Sequence, residues 1–238
     1  MTHIPAGLAE EEMFVALCEG LRWWFAFDGP QTALIARQDG RMTGDDVRRI
    51  AIQYNFMRNL PSNPALLTQI GAKMHSLANT EASTLDERAG EVETIVEELF
   101  KLCGTRFRLA SGTTKLLWFM SPPRWTPYDR LAAKAVCARF SGVRRMRDYY
   151  RRLDQIGFLQ ASSEIDQLLS GTVFDRVGGN RILDKLLMMG GEPEWTLNVR
   201  PIAIAFAEAL PVTLQSTLVD TAERMIANPS CQLDFGAL

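Results

Sequence analysis

Apolar residues recur at helical spacing along the whole of this 238-residue chain, and no stretch shows the two-residue alternation of a half-buried strand. That pattern restricts the fold to packed helices. Leu8, Met13, Leu17, Leu21, Trp24 and Phe25 mark a helix over residues 8–27, with Asp28-Gly29-Pro30 as its expected stop. Asp45 or Asp46 opens the next, through about Arg58. Asn63-Pro64 reads as an N-cap and first-turn proline for a helix to about Leu77. Thr84-Leu85-Asp86-Glu87 opens another, whose buried side carries Val92, Ile95, Val96, Leu99, Phe100 and Leu102. Later helices are expected over about 111–120, 128–140, 143–156, 162–169, 180–189, 198–209 and 212–227. The class is all-α with short loops. Length allows a full core, and no linker interrupts it, so one compact body is expected, its two lobes meeting near residues 105–130.

Composition narrows the chemistry. Hydrophobic residues are 47% and charged residues 23%, the balance of a globular protein in water, and no apolar run has membrane-spanning length. No membrane partner is expected. The first residues lack the basic and apolar regions of an export signal. Cys18, Cys103, Cys137 and Cys231 are widely spaced, and histidine is limited to His3 and His75. The expectation is a cytoplasmic monomer without a metal or other cofactor.

Charge is unevenly distributed. Residues 130–152 hold Arg130, Lys134, Arg139, Arg144, Arg145, Arg147, Arg151 and Arg152 against Asp148 alone, a window of +7. With a whole-chain net of −2, the remaining residues carry −9. A confined basic surface on an acidic protein suits a polyanion such as DNA, and it equally suits a solvated helix face.

Just before that window lies the stretch richest in chemistry, Ser111-Gly112-Thr113-Thr114-Lys115-Leu116-Leu117-Trp118-Phe119-Met120-Ser121-Pro122-Pro123-Arg124-Trp125-Thr126-Pro127-Tyr128-Asp129. Gly112 suggests a tight turn, and Thr113-Thr114 a cap whose free amides bind a phosphate. Lys115 then falls in the first turn of an apolar helix. A lysine amine without its proton attacks a sugar carbon and forms a Schiff base. Asp129, fourteen residues on, is delivered to the next helix start by a proline turn, where a carboxylate steadies a developing cation. Each residue also has a plainer role. Asp129 is a good N-cap, Lys115 a snorkelling lysine, and Trp118, Trp125 and Tyr128 core. Those three aromatics, with Trp23 and Trp24, are the candidates to hold an extruded base.

The arrangement resembles the helix-hairpin-helix DNA glycosylases, nearest the branch of 8-oxoguanine DNA glycosylases and their small bacterial and archaeal relatives. Gly112, Thr114 and Lys115 match the end of that family's hairpin, and Pro127 and Asp129 its proline-x-aspartate, over about residues 98–140. Only one hairpin glycine remains, in Leu109-Ala110-Ser111-Gly112-Thr113, and the lysine-to-aspartate spacer is shorter. The resemblance implies a two-lobed helical fold, Lys115 as nucleophile and Asp129 as catalytic carboxylate. Duplex DNA is then expected to be bound through the turn at Gly112, Thr113 and Thr114 and through Arg139, Arg144, Arg145 and Arg147 of the basic run. On that resemblance the expected base is oxidised guanine or a hypermodified phage base, excised with or without strand cleavage. Two other readings stay open, a non-catalytic helical DNA-binding protein and a helical interaction scaffold.

Overall fold

A computed structural model describes residues 4–78, 84–103, 109–121, 125–138 and 145–238. Among these the fold is all-α, with no strand. The chain forms two compact units. A terminal unit comprises Met1–Gly29, Asp129–Phe140 and Arg152–Leu238, and a central unit comprises Pro30–Tyr128 and Ser141–Arg151.

The terminal unit begins with α1 (Ala6–Glu10) and α2 (Glu12–Trp23), which runs into a π-helical turn, Trp24–Asp28. Instead of stopping at Asp28-Gly29-Pro30, the backbone stays helical into α3 (Gly29–Arg37). The wide turn takes the Gly29 amide back to the Trp24 carbonyl, and the missing amide of Pro30 then falls in a new first turn. The unit continues with α8 (Arg130–Ala135), the end of α9 (Arg145–Gln155), α10 (Phe158–Leu169), α11 (Gly179–Gly191), α12 (Pro193–Ala209) and α13 (Val212–Ala227). Helix α11 is the hub, packed on α2, α8, α10 and α12, and Ile182, Leu183 and Leu187 are buried along it. It crosses α8 so closely that a Cβ on Gly191 would collide with the Leu131 carbonyl, a crossing only glycine permits.

The central unit holds the rest of α3, then α4 (Gly44–Gln53), α5 (Pro64–Ala78), α6 (Leu85–Cys103), α7 (Ala110–Met120) and the start of α9. Local cap chemistry sets the starts. Thr43 and Asp46 form a reciprocal capping box on α4. The Asn63 side chain accepts from Ala65 N–H at 3.0 Å. Thr84 and Glu87 exchange bonds of 3.0 and 3.2 Å at the start of α6. Helix α4 ends at Gln53, short of Arg58, because Asn55 takes a left-handed conformation. Likewise α8 stops at Ala135 rather than near 140, with Cys137 left-handed. No helix among the described residues is long and apolar enough to cross a membrane.

Candidate active site

The sequence predicts a glycine turn, a threonine cap and then a lysine in the first helical turn. Local structure corrects that order. Helix α7 already begins at Ala110, so Gly112 and Thr113 lie inside its first turn and Lys115 comes a turn later than expected. The helix has no side-chain cap. Gly112 is not a hinge: its bare α-carbon admits the Phe56 ring, which a Cβ would meet at 2.9 Å. Thr113 and Thr114 are buried, so their hydroxyls are not on the surface for a phosphate. Thr114 instead binds internally, donating to Ser111 O at 3.1 Å and accepting from Tyr128 N–H at 2.8 Å.

That last bond ties together the residues that immediately precede Lys115 and Asp129. Lys115 is half-buried, with Nζ 5.5 Å from the centre of the Tyr54 ring. Behind it the Trp118, Phe119 and Tyr54 rings meet edge to face. Asp129 is the N-cap of α8, accepting from Leu131 N–H at 2.9 Å, and is half-buried.

The three aromatics proposed for the base pocket are core instead. Trp118, Trp125 and Tyr128 are all buried, and Tyr128 packs edge to face on Tyr149 at 5.1 Å. They fill the central unit because they flank the buried face of α7, where large rings contribute most of the apolar area.

The basic run fares unevenly. Arg139 and Arg144 lie outside the described residues. Arg145 is half-buried, and Arg147 Nε lies 3.6 Å from Asp86 while its amide donates to Glu93. Lys134 donates to Glu192 at 2.8 Å. The run is shared between the two units, so it is not a single helix face.

A second constellation, absent from the sequence reading, lies inside the terminal unit. Arg181 on α11 donates to Asp28 through Nε at 3.1 Å, with Nη2 at 3.0 Å from the same oxygen, and to Asp184 through Nη1 at 2.8 Å. On α2, Glu19 accepts from Arg22 Nε and Nη2, each at 2.8 Å, and from Trp23 Nε1 at 2.7 Å. Lys185 completes the group, its Nζ 4.9 Å from the Trp23 ring centre. Asp28, Glu19, Arg181, Asp184 and Lys185 are all buried. Burial, with Arg181 adding to it, pushes the Lys185 amine down to about 8, against the pull of Asp184, Glu19 and Asp28. The only sequence signal for this cluster is the spacing of Arg181, Asp184 and Lys185, which places three charges on one face of a helix otherwise rich in buried residues.

No family model, curated protein or solved structure matches the chain.

Proposed function

We propose that this protein is a DNA glycosylase of helix-hairpin-helix type, two-lobed, that turns a modified base out of duplex DNA and excises it as a monomer. The substrate base is an oxidised guanine or a hypermodified phage base. Lys115 is the nucleophile and Asp129 the carboxylate. The observation that carries this reading is the Thr114–Tyr128 hydrogen bond of the central unit, made between the residues that immediately precede Lys115 and Asp129 in the sequence.

The chemistry follows from the two groups. As the glycosidic bond breaks, its electron pair leaves with the base, which takes up a proton. Positive charge grows on the sugar, where Asp129 stabilises it. The Lys115 amine bonds to the sugar carbon, and opening of the ring gives a Schiff base. Loss of a proton from the neighbouring carbon then expels the 3′ phosphate and cuts the strand.

Duplexes carrying single 8-oxoguanine or hypermodified bases, treated with the protein and then alkali and sized, test the reading. The expected result is cleavage at the modified base. Borohydride should trap a covalent protein–DNA adduct with the wild type and none with Lys115→Gln. Base release by Lys115→Gln at the wild-type rate, with no wild-type adduct, would overturn the lysine step. Absence of release from every modified duplex would overturn the glycosylase.

A further inference from the structure

The central unit contains an open cavity of about 420 Å³ between α4 and α5, with Met57 of the short turn Met57–Asn59 in its wall. Its size falls in the range of small-ligand pockets, roughly 300–1,000 Å³. The way the two helices meet creates it. At the start of α4 they touch, since a Cβ on Gly44 would lie 2.8 Å from Thr68 Oγ1. Farther along α4 the space is left unfilled. Ile52 lines it and is 58% exposed, while Leu67 from α5 is buried at its base.

Two charges share this wall. Asp45 and Arg48 are three residues apart on α4, a spacing at which a carboxylate and a guanidinium readily pair. Asp46 and Arg49, one position on, have the same spacing and do pair. Asp45 and Arg48 do not. Among the described residues neither makes an ion pair or a side-chain hydrogen bond, and both line the cavity.

We infer that this cavity binds a free α-amino acid with an apolar side chain of leucine size, its carboxylate on Arg48, its ammonium on Asp45 and its side chain against Ile52, Met57 and Leu67. The charges select a zwitterion. A plain carboxylate would gain Arg48 but be repelled by Asp45, and a plain amine would meet the reverse. Phosphate would face the same acid with more charge. The helix starts beside the cavity are capped from within the chain, Thr43 accepting from the Asp46 amide and Asn63 from the Ala65 amide. The two charged groups of an amino acid sit on one carbon, which suits two side chains that neighbour each other on one helix face. A guanidinium takes the carboxylate through two parallel hydrogen bonds. The apolar side chain covers Ile52, whose surface otherwise stays largely in water. Lys115 and Asp129 take no part, so the inference stands apart from the glycosylase reading.

The test uses the full chain, labelled with nitrogen-15 and titrated with L-leucine and inorganic phosphate. Two leucine analogues complete the set, 4-methylpentanoate without the ammonium and 3-methylbutylamine without the carboxylate. Calorimetry gives the affinities, and the Arg48 side-chain N–H resonance, assigned by its absence from Arg48→Gln, reports the contact. Leucine should shift that resonance and bind at least about tenfold tighter than either analogue, since a site that pairs two charges rejects a ligand missing one. Arg48→Gln should weaken leucine by a similar factor and leave 3-methylbutylamine unchanged. Asp45→Asn should weaken leucine likewise and leave 4-methylpentanoate no weaker. Both positions are exposed, so both variants should keep the wild-type circular dichroism. No binding of leucine, equal binding of leucine and its analogues, or leucine affinity untouched by both variants would overturn the site. A stronger response to phosphate than to leucine would make it an anion site and overturn the zwitterion.

Discussion

The central unit buries its rings and leaves its lysine half-exposed, whereas the terminal unit buries its lysine and leaves a tryptophan half-exposed. In the first, Trp118, Trp125 and Tyr128 fill the core beneath α7, and Lys115 lies above them beside Tyr54. In the second, Lys185 is enclosed on α11 with Arg181, Asp184 and Asp28, and Trp23 reaches the surface. An apolar core needs no partners beyond good packing. Buried charges are stable only as a set, because each has lost water and depends on its neighbours. The contrast is between a half-exposed lysine on a packed aromatic base and a buried lysine held among paired charges.

The contrast breaks most sharply at Arg181. Arg181→Met removes the cation that both Asp28 and Asp184 bind, and should lower stability by about 3–5 kcal/mol, the usual loss when one member of a buried ionic set is deleted. Urea unfolding followed by circular dichroism measures it, and a loss below about 1 kcal/mol would show that the set does not act together.

A comparable effect is expected at Asp129, but on rate rather than stability. Asp129→Asn keeps an N-cap side chain, since asparagine caps as well as aspartate, and removes the charge. Base release from an active duplex should fall about 10²–10³-fold with little change in melting temperature. Unchanged release would leave Asp129 as a cap and nothing more.

Lys185 gives a smaller effect, of opposite sign. Its amine is lowered from 10.5 to about 8 on folding, so between those values the unfolded chain binds a proton that the folded chain does not. Stability from this group therefore rises with pH across that window, by about 3 kcal/mol in all, and below pH 8 the full cost of the buried charge remains. Lys185→Met should be more stable than wild type at pH 7, and the difference should shrink steadily towards pH 10.5. Unfolding curves of the two proteins at matched pH decide it, and a pH-independent difference would mean that Lys185 is charged or neutral alike in both states.

Features governed by neighbours in sequence were legible, and features governed by distant packing were not. Asn63-Pro64 and Thr84-x-x-Glu87 start helices where expected because a cap is complete within four residues. Gly112 signals a turn only until Phe56, from elsewhere in the central unit, fills the space beside it. Asp28-Gly29-Pro30 signals a stop, yet a π turn absorbs it and takes Asp28 inward to Arg181. Hydrophobic periodicity marks the faces that hide carbon and says nothing of faces that hide charge, so the α11 cluster left no comparable trace. The Lys115 and Asp129 segment was legible as residue types in order, whereas the bond from Tyr128 to Thr114 required the fold.

The terminal unit is assembled from the two ends of the described chain, and that sets a timetable for its birth on the ribosome. Asp28 waits for Arg181, 153 residues later in the sequence, which at 5–20 residues per second is roughly 8–30 s of synthesis. Through that interval Phe14, Leu17 and Leu21 of α2 have no α11 to cover them, while the whole of Pro30–Tyr128 has already been made. The nascent protein therefore carries an uncovered apolar helix ahead of a segment free to condense, a natural point of engagement for a chaperone and the point at which aggregation competes with folding.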